Sequence, residues 1–329
     1  MVNWEIKKIF KSKNGMIVIS LFLILLMSMV FIKPKSKLID SKGNERKINI
    51  REEYESNLEE LKIASQSEGK DEFSVDIKEI ANDKLNAMES EKYKDTRFWR
   101  VFNYRSSHPF MILIMIIIIA VLFSNIYTDE IISGVDSLIL SSKNRYKVLY
   151  SKLVISIGTP IVLYAGYLIA QFITTYIQYG RPINGSLQAV RIVDIPLLLN
   201  GAYTIYKFIL LKIGILSIVL ISLSVLASLI SFISKNSIQS ISGFLMFIFL
   251  GKIVTLIKGL PKSIMMVISR INYIDLLFKF NEFALMYSGK VKLFSINLDI
   301  TNLSLSILIV FCLIEIFICR IIFKKFITR

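Results

Sequence analysis

The stretch MILIMIIIIAVLF, residues 111–123, runs thirteen positions without one polar side chain. A helix that is apolar all round has to be enclosed by protein or by lipid. A bilayer core roughly 30 Å thick takes about 20 mostly apolar helical residues. Six segments approach that length: 16–32, 110–127, 148–173, 205–233, 238–257 and 303–323. Gly243, Gly251 and Lys252 interrupt the fifth. Hydrophobic residues make up 54% of 329, and the mean hydropathy is +0.59, too apolar for an ordinary soluble domain. The fold class expected is an all-α polytopic membrane protein with six transmembrane helices.

The formal charge of +15 does not point to nucleic acid. Segment 33–105 is neutral, with 16 basic and 16 acidic residues; the other 24 bases face nine acids and often flank apolar runs. That is the placement of membrane anchors, whereas a nucleic-acid binder gathers its bases on one polar face. No nucleic-acid partner is expected, and membrane lipid is. With the N-terminus inside, the cytoplasmic pieces hold Lys7, Lys8, Lys11, Lys13, Lys143, Arg145, Lys147, Lys152, Lys235, Arg320, Lys324, Lys325 and Arg329, against the acids Glu5, Asp129, Glu130 and Asp136. Both termini are therefore expected in the cytoplasm. Segment 258–302, with six bases and three acids, falls outside and is an exception to that bias.

The charged N-terminus reads as the approach to a retained first span, 16–33, rather than as a cleaved signal. Residues 34–108 form an extracellular insert with helical stretches between 51 and 100, a hairpin or cap with a small core of its own. At its end RFWRVFNYR, 97–105, has the composition of an interfacial aromatic belt, and His108-Pro109 reads as a helix start. Residues 109–329 supply five further spans, with a loop at 128–147 and an outer membrane-associated segment at 258–302 made of short interfacial helices.

The chain holds no GxxxxGK[ST] phosphate loop, no HExxH and no GxSxG, and it has a single His. Neither an ATPase nor another catalytic motif is present, and no metal or cofactor site is expected. Cys312 and Cys319, inside the last apolar run, read as small buried hydrophobes. Three charges interrupt apolar runs: Glu315, Lys212 and Lys252. Each costs about 2.5–3.5 kcal/mol at a helix centre. Such groups either line a polar path or are structural, the lysines snorkelling outward and Glu315 pairing with a neighbouring helix or a base such as Arg320. Glu315 and Lys212 are kept as candidates for a transport path or for helix packing.

The loop TDEIISGVDSLILSSKNRYKVLYSK is ordered in a way that anchoring does not explain. Thr128 suits an N-cap, with Asp129 and Glu130 in the first turn. Ile131, Val135, Leu138 and Ile139 make an apolar stripe, Gly134 permits close approach of another surface, and a turn leads to a basic helix start at Arg145. Tyr127, Glu130, Gly134, Ile139, Leu140, Ser141, Arg145 and Lys152 stand where they do in the first cytoplasmic loop of type-2 ABC exporter permeases, which this chain resembles. Lys143 and Asn144 depart from the Pro and Ser common there. WEIKKIFKSK, within 1–15, looks like that family's amphipathic cytoplasmic elbow helix.

The resemblance implies a permease subunit in a bacterial plasma membrane, exporting a peptide, antibiotic or other amphipathic compound. It would work with a second permease subunit, identical or homologous, and a separate ABC ATPase subunit that holds ATP and Mg. The loop would dock on that ATPase, with Asp129, Glu130, Gly134, Leu138, Ser141, Arg145 and Lys152 as the coupling residues. Two other readings stay open: a membrane-anchored binding or immunity protein that does not transport, and a mechanotransmission-type ABC permease.

Overall fold

The computed structural model describes residues 2–34, 37–39, 45–47, 49–67, 69, 71–88, 92–135, 139, 141–142, 145–257, 259, 261–293 and 296–327. It is an all-α polytopic membrane protein: five described helices are long and apolar enough to cross a bilayer, and six if one bent pair counts as a single span.

The bent pair opens the chain. Helix α1, Val2–Lys11, meets α2, Lys13–Met29, at 76°. Ser12 makes the corner by accepting the Gly15 N–H at 3.0 Å, the side-chain cap that a helix N-terminus needs. At Gly15 an added Cβ would stand 2.0 Å from the Ile9 carbonyl oxygen, so only glycine allows the two helices to approach this closely.

Helix α3, Ile50–Gln66, and α4, Glu72–Asn86, form the hairpin of the insert, preceded by a two-stranded ribbon, β1 Lys37–Ile39 and β2 Glu45–Lys47. Leu58, Leu61, Ile77 and Ala81 give the hairpin its small core. It does not stand in solvent as a separate cap. Lys84, fully buried, donates from Nζ to the carbonyls of Pro196 and Leu197 at 2.8 and 2.9 Å. Asp76 accepts from Lys290 at 2.6 Å and from the Tyr287 hydroxyl, and Glu53 accepts from Arg100 at 2.6 Å.

The aromatic segment 97–105 is a helix, α5 (Arg97–Ser106), and it is packed inside protein rather than at a lipid boundary. Phe98 and Phe102 both stack edge-on to Phe172, and Trp99 meets Tyr206. Arg105, with no exposed surface, donates to the last carbonyls of the first span, Val30 and Ile32, and to Thr175 and Gln178. A guanidinium fork at a helix C-terminus satisfies carbonyls left without helical partners and suits the dipole. Buried hydrogen-bond partners thus draw inward a segment whose composition suggests an interface.

His108 caps α6, Pro109–Phe123, through Nδ1, which accepts the Phe110 N–H at 3.1 Å. Helix α6 is the centre of the bundle, packed against α2 and the fourth span. A five-residue helix, α7 (Thr128–Ile132), follows, and then α8, Arg145–Tyr179, the third span, which at 35 residues is about 52 Å long and passes well beyond a bilayer core. Its Pro160 cannot donate to the Ser156 carbonyl. The Ser224 hydroxyl of α9, Ile205–Ile233, takes that oxygen instead. Ser156 also bonds Ser228 at 2.6 Å, so a seam of small hydroxyls draws α8 and α9 together, as apolar helices in lipid require.

Helix α10, Ser237–Val254, is the fifth span and α14, Ile300–Ile327, the sixth. Between them lie α11 (Lys262–Ile271), α12 (Tyr273–Phe278), α13 (Phe280–Phe283) and a hairpin, β3 Lys290–Leu293 with β4 Ile296–Asp299. The sequence leads one to expect one or two short helices in this segment; the structure has three, and it adds strand hairpins here and in the insert that the sequence reading does not include.

Candidate functional site

The loop at 128–152 is held by a cluster of four charges from three elements. Lys8 of α1 and Lys152 of α8 both donate to Glu130 Oε1 of α7 at 2.7 Å. Lys152 also donates to the Ile126 carbonyl at 2.9 Å and lies 3.5 Å from Glu5 of α1. Glu130 and Lys152 are each 1% exposed and Glu5 3%, whereas Lys8 reaches solvent. The cluster balances two ammonium groups against two carboxylates. Buried charges persist only when paired and hydrogen-bonded, so these contacts tie the three elements together strongly.

The local backbone explains why Glu130 points inward. Thr128 is not the N-cap expected from sequence: it is the first residue of α7, fully buried, with its hydroxyl on the Ser124 carbonyl. The cap comes from another helix, because Ser231 Oγ on α9 accepts the N–H groups of Tyr127 and Thr128 at 3.0 and 3.3 Å. Tyr127 packs on Phe232 with ring centroids 4.7 Å apart.

Helix α7 stops at Ile132, so 128–139 is not one continuous amphipathic helix. Gly134 has φ +69, Val135 N–H returns to the Glu130 carbonyl at 3.0 Å and Gly134 N–H to that of Ile131 at 3.1 Å. This is the Schellman termination, which favours glycine at the left-handed position. The need for Gly134 is therefore conformational; a Cβ there would meet no described atom within 4 Å.

Of the other coupling candidates, Asp129 and Ser141 are exposed, Arg145 is the first residue of α8, and Leu138 lies outside the described residues. Ile132 at 63% exposure and Val135 at 39% present apolar surface beside Asp129. The structure brings Glu130 and Lys152 together and adds Glu5 and Lys8, which the sequence reading did not select. A signal was present, since Glu5 is the one acid in a basic stretch.

Two of the three charges within the spans, Lys212 and Glu315, are packed inward. Lys212 does not snorkel: it is 3% exposed and donates to Asn103 Oδ1 at 2.7 Å. Lys252 bonds Asp275 at 2.7 Å, half-exposed at the end of α10. Glu315, 3% exposed, accepts from Ser222 at 2.7 Å, and Ser222 bonds the Tyr273 hydroxyl at 2.8 Å. Among the described residues Glu315 has no ion-pair partner, and Arg320, considered as one, is exposed. Helix packing thus accounts for Glu315 Oε2, while Oε1 is unsatisfied.

No group of three or more metal-ligating side chains occurs among the described residues. No family model, curated protein or solved structure matches the chain.

Proposed function

We propose that this chain is the transmembrane permease subunit of an ABC-type transporter in a bacterial plasma membrane. A separate ATPase subunit would hold ATP and Mg, and a second permease subunit, identical or homologous, would complete the pathway. The observation that carries this reading is the Glu130 cluster. A loop fixed by ion pairs to α1 and α8, and capped by Ser231 on α9, moves as one body with three membrane elements. A push on its exposed tip at Ile132 and Val135 then becomes tilt of the spans rather than bending of a loop.

Placed on the cytoplasmic side, that tip offers an apolar contact with Asp129 beside it to fix orientation. The exported compound would be a peptide, antibiotic or other amphiphile. Purification from native membranes in mild detergent tests the reading: a P-loop ATPase should accompany the chain in equimolar amount, and Ile132→Asp should release it while the permease remains folded. A chain that purifies without any ATPase under these conditions contradicts it.

A further inference from the structure

Glu315 stands about midway along the 28 residues of α14, and no other Asp or Glu lies within the six apolar segments of the chain. Its side chain is 3% exposed, with Oε2 at 2.7 Å from Ser222 Oγ on α9 and Oε1 without a hydrogen-bond partner. Ser222 Oγ in turn lies 2.8 Å from the Tyr273 hydroxyl of α12. One acid and two hydroxyls thus form a row from the middle of the bundle to the segment 258–302.

No cation among the described residues is placed to offset a charge on Glu315. Lys212, ten residues before Ser222 on α9 and so about 15 Å along the axis, donates to Asn103. Lys152 of α8 is held by Glu130, Lys252 of α10 pairs with Asp275 of α12, and Arg270 of α11 donates to the Glu282 carbonyl. Arg320 of α14 is exposed. The other titratable neighbours, Tyr273 and the thiols Cys312 and Cys319 one turn to either side, never carry positive charge. Tyr273 also lines a cavity of about 260 Å³ whose walls, Phe247, Leu250, Leu308 and Phe311 among them, include no charged side chain.

A carboxylate there would have one hydrogen bond for about four lone-pair sites, and a buried charge without a partner is avoided by taking a proton. With the proton on Oε2, Glu315 donates to Ser222, and Oε1 becomes a carbonyl oxygen, which goes unpartnered at less cost than a carboxylate oxygen.

We propose that Glu315 is a proton-binding site within the membrane, and that Ser222 and Tyr273 carry its proton to and from the segment 258–302. On release the Oε2 proton passes to Ser222 Oγ, the Ser222 proton to Tyr273 Oη, and the Tyr273 proton to water beside that ring. Every O–H bond that breaks is replaced by one that forms, and both hydrogen bonds of the row reverse. The site is measurable in this chain with no ATPase present, so its failure leaves the transport reading intact.

Infrared spectra of the full chain in phosphatidylcholine nanodiscs test it. At neutral pH the difference between wild type and Glu315→Gln should show the carbonyl stretch of a protonated carboxylic acid, without a carboxylate band, and the stretch should shift in D₂O. In Tyr273→Phe the stretch should remain but shift more slowly, whereas loosened packing alone would speed the exchange. Dicyclohexylcarbodiimide, an apolar reagent that adds to protonated carboxyls, should label Glu315 in the wild type as read by peptide mass, which requires no variant to fold. A carboxylate band in place of the acid stretch, or no label on Glu315, overturns the proton site. Exchange in Tyr273→Phe as fast as in wild type, or faster, overturns the route through Tyr273.

Discussion

Lys152 lies 22 residues beyond Glu130 and returns to it, Nζ to Oε1 at 2.7 Å, with both side chains 1% exposed. The contact closes the loop at its base, and Ile132 and Val135 just beyond Glu130 are exposed. Removing one partner of a buried pair leaves an uncompensated charge, at a cost of about 3–5 kcal/mol. Lys152→Met should therefore lower the thermal midpoint markedly. Lys8, 40% exposed in the same cluster, should matter far less on substitution by Met, about 1 kcal/mol or below. Equal losses from the two variants would contradict the difference in burial.

Gly134 makes the loop turn at φ +69. Valine there is strained by about 1–2 kcal/mol, whereas asparagine tolerates the left-handed region. Gly134→Val should increase proteolysis at the loop without moving the global thermal midpoint, and Gly134→Asn should resemble wild type. Similar proteolysis of both variants would show that the turn does not depend on this conformation.

Lys84 ties the insert to the 196–198 turn, and burial pushes its amine from 10.5 down to about 7. Between these values the unfolded chain binds more protons than the folded one, so stability rises with pH. The contribution is complete above 10.5 and is lost as pH falls toward about 7. Raising the pH from 7 to 9 should stabilise the protein by roughly 2 kcal/mol through this group, and Lys84→Met should abolish that increment in the thermal midpoint. A wild-type increment that survives Lys84→Met would place its source elsewhere.

Arg105 joins the end of the first span to the third through Val30, Ile32, Thr175 and Gln178. Lysine keeps the charge but not the fork, and each charged hydrogen bond lost is worth about 1.5–3 kcal/mol. Arg105→Lys should therefore lower the thermal midpoint by more than Arg51→Lys, which alters only an exposed pair with Glu55.

How much of this was legible in the sequence depended on the range of the interaction. The spans are set by local composition, and the His108-Pro109 start by adjacent residues, so both could be read directly. Glu130 and Lys152 stood out as members of one loop, but their pairing with Glu5 and Lys8 spans more than a hundred residues and has no local pattern. The inward turn of 97–105 was hidden for the same reason: Arg105 and Trp99 look amphipathic until their partners at 30–32, 175–178 and 183 are known. Gly134 was visible as a special position, yet its role as a helix stop was not, because the apolar stripe continues past it. The serine seam between α8 and α9 has no signature in the sequence, since isolated serines carry no periodic signal.

The most direct measurement is transport per ATP hydrolysed in proteoliposomes holding this chain with the ATPase subunit proposed for it, compared between wild type and Glu130→Gln. Coupling through the cluster predicts that the ATPase still accompanies the variant and still hydrolyses ATP, while transport per ATP falls about tenfold, the factor expected for roughly 1.4 kcal/mol of lost coupling. An unchanged ratio in a folded Glu130→Gln complex would contradict the account.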